Sequence, residues 1–294
     1  MNRPISRRGL LLGGAGAVAA VAGFTIAEPD AEPSTPNRKP RPVEYTPVTV
    51  ERVRSAARGR TVHLAITRPS GVNPERLPVC LLLHGLHGNA RGILPRLAPR
   101  MAASMNGGAL TPFVFAALDG GDNYWHHARP TDDPMRMLLD EAPVWLAERG
   151  FQRTPFAAAG VSMGGFGALL YARRRAERAD PVRAVAAISP GLLLSWTLMR
   201  KRHAFSGAPQ WADLDPLRHV DALRGIPTGI WCGTSDPFIS GAQRFIAAAH
   251  PEFIHLAPGR HNARFWSSCV PSLLDFLGKY APVYGADRPG GNPI

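Results

Sequence analysis

Apolar and polar residues alternate twice near the start of the globular part of the chain, over Val48 to Arg54 and Thr61 to Thr67. Period-two alternation puts apolar side chains on one face of a strand. With Ser55 to Arg60 between them, including Gly59, the two runs predict an antiparallel hairpin. The alternation then gives way to short, almost wholly apolar runs: Val79 to Leu83, Phe113 to Leu118, Phe156 to Ala159, Val182 to Ser189 and Thr228 to Cys232. Such runs predict strands buried on both faces. A further strand is expected at Glu252 to Leu256. Helical spacing separates these runs, at residues 92–105, 134–149, 164–178, 241–249 and 263–278. Strands that alternate with helices predict an α/β fold with a mostly parallel sheet and helices on both faces. Ligands in such sheets bind beyond the carboxyl ends of the strands. Residues 191–222 follow neither period and are expected to cover one side of that region.

The first 42 residues do not fit this pattern. Ser6-Arg7-Arg8-Gly9-Leu10-Leu11 is a twin-arginine motif, followed by an uncharged, glycine-broken apolar stretch to Ala27. A membrane span needs about 20 strongly apolar residues. The stretch therefore reads as an export signal, with a retained membrane anchor as the alternative. Export by the twin-arginine machinery, and a secreted or cell-envelope location, are the expectations. Residues 28–42 carry five prolines among charged and small residues and read as an extended spacer. Residues 43–280 form the expected catalytic domain, and residues 281–294 a loose Pro/Gly-rich tail.

Composition changes this picture little. The formal net charge of +12 raises the question of nucleic-acid binding. The 34 basic residues, however, comprise 31 Arg and 3 Lys, scattered except at Arg173, Arg174, Arg175 and Arg178. This is an Arg-rich surface rather than a basic groove, so no nucleic-acid partner is expected. Association with an anionic cell envelope is compatible with it. Three cysteines exclude a disulfide-rich scaffold. Cys232 and Cys269 either pair or stay free, and Cys80 belongs to a buried strand. No Cys/His spacing suits a metal, and no cofactor is expected.

Gly160-Val161-Ser162-Met163-Gly164 matches G-x-S-x-G where a buried strand runs into a helix. That context is the nucleophile elbow, a tight turn that presents the serine hydroxyl. Leu83-His84-Gly85-Leu86-His87-Gly88 follows an earlier strand, where such hydrolases place a second oxyanion donor. The backbone N–H groups of Leu86 and Met163 are the candidate donors. A serine hydroxyl needs a base, and the base needs an orienting acceptor. His261 lies between a late strand and the final helix, and Asp236 directly follows the strand ending at Cys232. The expected order is thus Ser162, Asp236, His261. Trp125, Phe238 and Trp266 fall on segments after strands and are the candidate pocket residues.

These segments resemble the esterase D branch of the α/β-hydrolases, which includes secreted mycolyltransferases of the antigen 85 type. The resemblance runs from about Pro78 to Leu277. It is carried by Val161-Ser162-Met163-Gly164-Gly165-Phe166-Gly167-Ala168-Leu169, by Leu118 to His126, by Cys232 to Phe238 and by His261 to Trp266. It implies the α/β-hydrolase fold and the same two oxyanion donors. The chain differs from the mycolyltransferases in a short elbow-to-acid interval and in Asp at the acid position. Both differences favour a secreted serine carboxylesterase acting on a small ester. The alternatives are an acyltransferase that moves the acyl group to a sugar hydroxyl and a non-catalytic cell-envelope binding protein on the same fold. The sequence leaves the oligomeric state open.

Overall fold

The computed structural model describes residues 45–95, 111–127 and 129–283. The twin-arginine segment, the spacer and residues 284–294 lie outside the described residues, as do residues 96–105 of the helix expected at 92–105. Eight strands form one sheet: β1 (Thr49–Ser55), β2 (Arg60–Thr67), β3 (Val79–Leu83), β4 (Val114–Leu118), β5 (Ala157–Val161), β6 (Ala184–Ile188), β7 (Thr228–Gly233) and β8 (Phe253–Ala257). Their order across the sheet is β1-β2-β4-β3-β5-β6-β7-β8. The β1–β2 and β2–β4 pairings are antiparallel and all the others parallel. The expected hairpin and parallel sheet are both present.

The apolar runs become strands β3 to β7, and every residue in β3, β4, β5, β6 and β7 is buried. Successive side chains point to opposite faces, so each strand feeds two cores. On one face Leu81, Leu83, Val185 and Ile230 pack with Phe166, Leu169 and Leu170 of the helix Met163–Glu177. On the other, Leu82, Phe115, Ala186 and Trp231 pack with Leu273, Leu274 and Phe276 of the helix Val270–Tyr280. Each fully buried Leu or Phe contributes about 1.5–3 kcal/mol. The edge strand β8 is only half-buried, with Ile254 and Leu256 facing out.

Two expected helices are altered by proline. Residues 263–278 form two helices, Ala263–Ser268 and Val270–Tyr280, that break at Cys269. Pro271 has no N–H to bond back, and its ring would press on the carbonyl four residues earlier. It sits instead in the first turn of the second helix. The helix beginning at Pro134 runs to Glu148 but loosens into a π-turn at Met137–Glu141, just ahead of Pro143. The segment expected to be irregular holds short helices, including Trp196–Met199, Arg200–Arg202 and Ala208–Leu214. Its Met199, Trp211 and Leu214 join the first core.

The strand order places the chemistry. Strand β3 pairs directly with β5, with Leu83 opposite Gly160. The chain leaves these two strands toward opposite edges of the sheet, which makes their carboxyl ends a topological switch point. Strands β5, β6, β7 and β8 lie side by side, so the residues that follow them share one rim.

Candidate active site

Ser162 follows β5 with φ 59° and ψ −119°. That backbone is rarely populated by a non-glycine residue, and it turns the side chain out of the strand. The turn is tight enough to require glycine on both sides. A Cβ at Gly160 would stand 2.0 Å from the Gly164 carbonyl oxygen, and one at Gly164 would stand 2.0 Å from that of Leu83. The run of small residues Ala157 to Gly160 is the price of bringing the helix onto the strand. The Ser162 carbonyl accepts from the N–H groups of Gly165 and Gly191, and its own N–H donates to Ile188, which holds the strained residue on three sides.

Nε2 of His261 lies 2.9 Å from the Ser162 hydroxyl, and Nδ1 lies 2.8 Å from the Asp236 carboxylate. Asp236 is almost fully buried, and the backbone N–H of Phe238 donates to its other oxygen at 2.9 Å. Burial alone would raise its pKa. Hydrogen bonds from His261 and the Phe238 N–H, with the nearby Ser189 hydroxyl, outweigh burial and hold the carboxyl below its usual range. The imidazole is packed between two rings, with Phe238 at 4.9 Å and Trp266 at 5.1 Å between centroids.

The loop after β3 lies against this chain of groups. A Cβ added at Gly85 would stand 3.2 Å from the Ser162 Cβ. Among the described residues, neither the Leu86 N–H nor the Met163 N–H is taken by a hydrogen bond. The loop is pinned from behind. Asp119 accepts from the N–H groups of Ala90 and His63, and Asp122 accepts from that of His87 at 2.6 Å. His84, a residue type that could suggest a metal, is a buried structural contact. Its Nε2 accepts from the Gly120 N–H, its Nδ1–H donates to the Gly85 carbonyl, and burial lowers its pKa. Among the described residues no group of three His, Cys, Asp or Glu could hold a metal ion. Cys80, Cys232 and Cys269 are buried and free.

A cavity of about 510 Å³ opens over Ser162, His261 and Leu86. Phe238 and Trp266 line it as expected, with Tyr124 and Ile93. Trp125 does not, which corrects the expectation for that residue. Tyr124 and Trp125 both adopt left-handed backbone, with φ 54° and 63°, and the turn drives the indole inward. The ring fills the space left by two glycines: a Cβ at Gly120 or Gly167 would stand about 2.6 or 2.5 Å from it. Its N–H donates to the His84 carbonyl at 3.2 Å, so Trp125 supports the loop from below.

Two residues that the sequence pattern does not single out join the site. Ser189, directly after β6, accepts from the Trp266 indole and stands near enough to Asp236 to lower its pKa. Its place after a central strand was the available hint. Arg202, in the segment between β6 and β7, reaches the cavity wall. No periodicity marks it.

Sheet order, elbow and a strand-end Ser–His–Asp arrangement define an α/β-hydrolase of the serine ester hydrolase class. The chain belongs to the family described as "Putative esterase", which matches residues 55–268. It is similar to the diacylglycerol acyltransferase/mycolyltransferase Ag85B of Mycobacterium avium, 29% identical over 154 residues, 44% of this chain and 47% of that protein. The chain thus matches about half the length of that curated relative. Among solved structures it resembles a ferulic acid esterase (TM-score 0.69, 18% identity, 82% of this chain and 100% of that one). It also resembles MPT51 (FbpC1) of Mycobacterium tuberculosis (TM-score 0.60, 17% identity, 81% and 100%). At these identities the structures establish the fold.

Proposed function

We propose that the protein is a secreted serine carboxylesterase that works through an acyl-enzyme on Ser162. His261 Nε2 takes the hydroxyl proton as Ser162 Oγ attacks the ester carbonyl. Asp236 holds the tautomer with the proton on Nδ1 and stabilises the imidazolium that forms. The tetrahedral oxyanion is met by the N–H groups of Leu86 and Met163, each contributing about 3 kcal/mol. The intermediate collapses, His261 returns its proton to the leaving alcohol, and water repeats the sequence to release the acid.

The observation that carries this reading is the continuous Ser162–His261–Asp236 hydrogen-bond chain, 2.9 and 2.8 Å long, at the floor of a cavity. A chain-length series of 4-nitrophenyl esters, run with the native protein and Ser162→Ala, tests it and sizes the acyl pocket together. Equal turnover by the two proteins sinks the reading.

Acyl transfer is the second reading, favoured by the similarity to an acyltransferase. The same acyl-enzyme would serve, with a sugar hydroxyl in place of water. Product partition between water and added trehalose or glucose separates the two. Location rests on Arg7 and Arg8. Their joint replacement by Lys should retain the protein in the cytoplasm, and unchanged secretion would refute the twin-arginine route.

A further inference from the structure

A second cavity, of about 560 Å³, adjoins the one over Ser162, and Leu86, His87 and Arg202 line both. Its walls carry Arg58, Arg60, Lys201 and Arg202 against Asp122 and Asp132. The two carboxylates are already engaged. Asp132 bonds both Arg58 and Arg60, and Asp122 accepts from the His87 N–H and faces its Nδ1. Lys201 and Arg202 are left without an acidic partner among the described residues.

Arg202 is also placed to act on the reacting end. Its guanidinium lies 5.3 Å from the centre of the Phe238 ring, and that ring lies 4.9 Å from the His261 ring. Charge and base are therefore within about 10 Å, roughly one Debye length at 0.1 M salt. The guanidinium lies over an aromatic face, and its fork of N–H donors matches an oxyanion. The remaining wall of the first cavity is apolar at Ile93, Pro237, Phe238 and Trp266. The site thus has an apolar wall beside Ser162 and, sharing Arg202 with it, an adjoining cationic cavity.

We infer that the preferred ester carries an anionic group, of the carboxylate or phosphate class, a few bonds from the scissile carbonyl, and that Arg202, aided by Lys201, binds it. The inference rests on the esterase reading above. It names Arg202 as the residue that sets specificity by charge, where the apolar wall sets it by size.

Two substrate pairs test it. Mono-4-nitrophenyl glutarate and its neutral methyl ester place the charge on the acyl side. 4-Acetoxybenzoate and its methyl ester place it on the alcohol side. The quantity read is the anionic-to-neutral ratio of kcat/KM, compared between native protein and variants so that intrinsic reactivity cancels. On one pair, Arg202→Gln should lower that ratio about tenfold, while Arg202→Lys, which keeps the charge, lowers it less than threefold. In the native protein 0.5 M NaCl should erode the same ratio. The responding pair identifies the side of the ester that carries the charge. Ratios unmoved by Arg202→Gln on both pairs overturn the inference while leaving the esterase reading intact. Native-level turnover of all four esters by Ser162→Ala overturns the esterase reading itself.

Discussion

The indole N–H of Trp266 donates to the hydroxyl of Ser189 over 3.2 Å, and that hydroxyl stands close enough to the Asp236 carboxylate to lower its pKa. One side chain thus links a cavity wall to the buried acid. Ser189→Ala removes a polar group that favours the charged carboxylate, an effect of about 0.5–1.5 kcal/mol. Part of this is felt in the reaction, because Asp236 must stay charged and oriented as the imidazolium forms. The expected outcome is a fall in kcat of roughly fivefold or more, about 1 kcal/mol, with KM nearly unchanged. The Asp236 carboxyl should titrate at higher pH than in the native protein, as followed by carboxylate NMR, since one cause of its depressed pKa is gone. An unchanged Asp236 titration would show that Ser189 only packs.

Gly164 tests the elbow. Alanine is favoured over glycine in a helix by about 1 kcal/mol, so an unconstrained position would gain stability. Here the new Cβ would meet the Leu83 carbonyl oxygen at 2.0 Å. Gly164→Ala should therefore cost more than about 2–3 kcal/mol, the range of overpacked cores. A melting temperature lower by about 5–10 °C is the corresponding reading for a domain of this size. A stabilised variant would contradict the close approach of strand and helix.

Trp125 separates support from substrate contact. It is fully buried, and it holds the His84 carbonyl under the oxyanion loop. Trp125→Phe should lower the urea midpoint by an amount worth about 1–3 kcal/mol, from lost packing and a lost hydrogen bond. The KM for a small ester should change little. Unaltered stability with a raised KM would instead mark a pocket residue.

Asp215 gives a pH-dependent prediction. Burial raises its pKa to about 6, against the pull of the Leu217 N–H and Arg218. An unfolded Asp titrates near 3.9. Between about pH 4 and 6 the folded chain keeps a proton that the unfolded chain has released, so this group's contribution to stability falls as pH rises through that window. The loss is about 3 kcal/mol, complete above pH 6. Asp215→Asn keeps an acceptor for Leu217 and carries no charge. It should stabilise the protein by about 1–3 kcal/mol at pH 7.5 and by little at pH 4. His126, whose pKa burial lowers to about 4, acts in the opposite direction over the same interval, so native and variant must be compared at each pH. An equal difference at both pH values would refute the assignment.

Much of this arrangement is legible in the chain. Runs such as Val79 to Leu83 are apolar at every position because both faces of the strand are covered, and the structure buries all of them. Ser162, Asp236 and His261 were marked by position after strands β5, β7 and β8, and parallel pairing brings those ends together. Ser189 has the same placement but lacks a distinctive residue type. Trp125 misled because a loop has no period to say which way a ring turns. Its inward course depends on two left-handed residues and on two glycines far apart in the sequence, Gly120 and Gly167. Arg202 was invisible for a different reason. Its meaning comes from carboxylates elsewhere being already engaged, which is a property of the folded charge balance. The spacing over 263–278 reads as one helix because apolar periodicity continues through Pro271, and only the proline's missing N–H and ring divide it in two.

The most direct test of the central claim is covalent labelling. A phosphonate ester at slight excess should add one adduct per chain, seen by intact mass and mapped to Ser162. Ser162→Ala should take none, and His261→Ala should label at least a hundredfold more slowly, because a serine without its base is a poor nucleophile. An adduct on another residue, or undiminished labelling of Ser162→Ala, would contradict the assignment of Ser162 as the nucleophile.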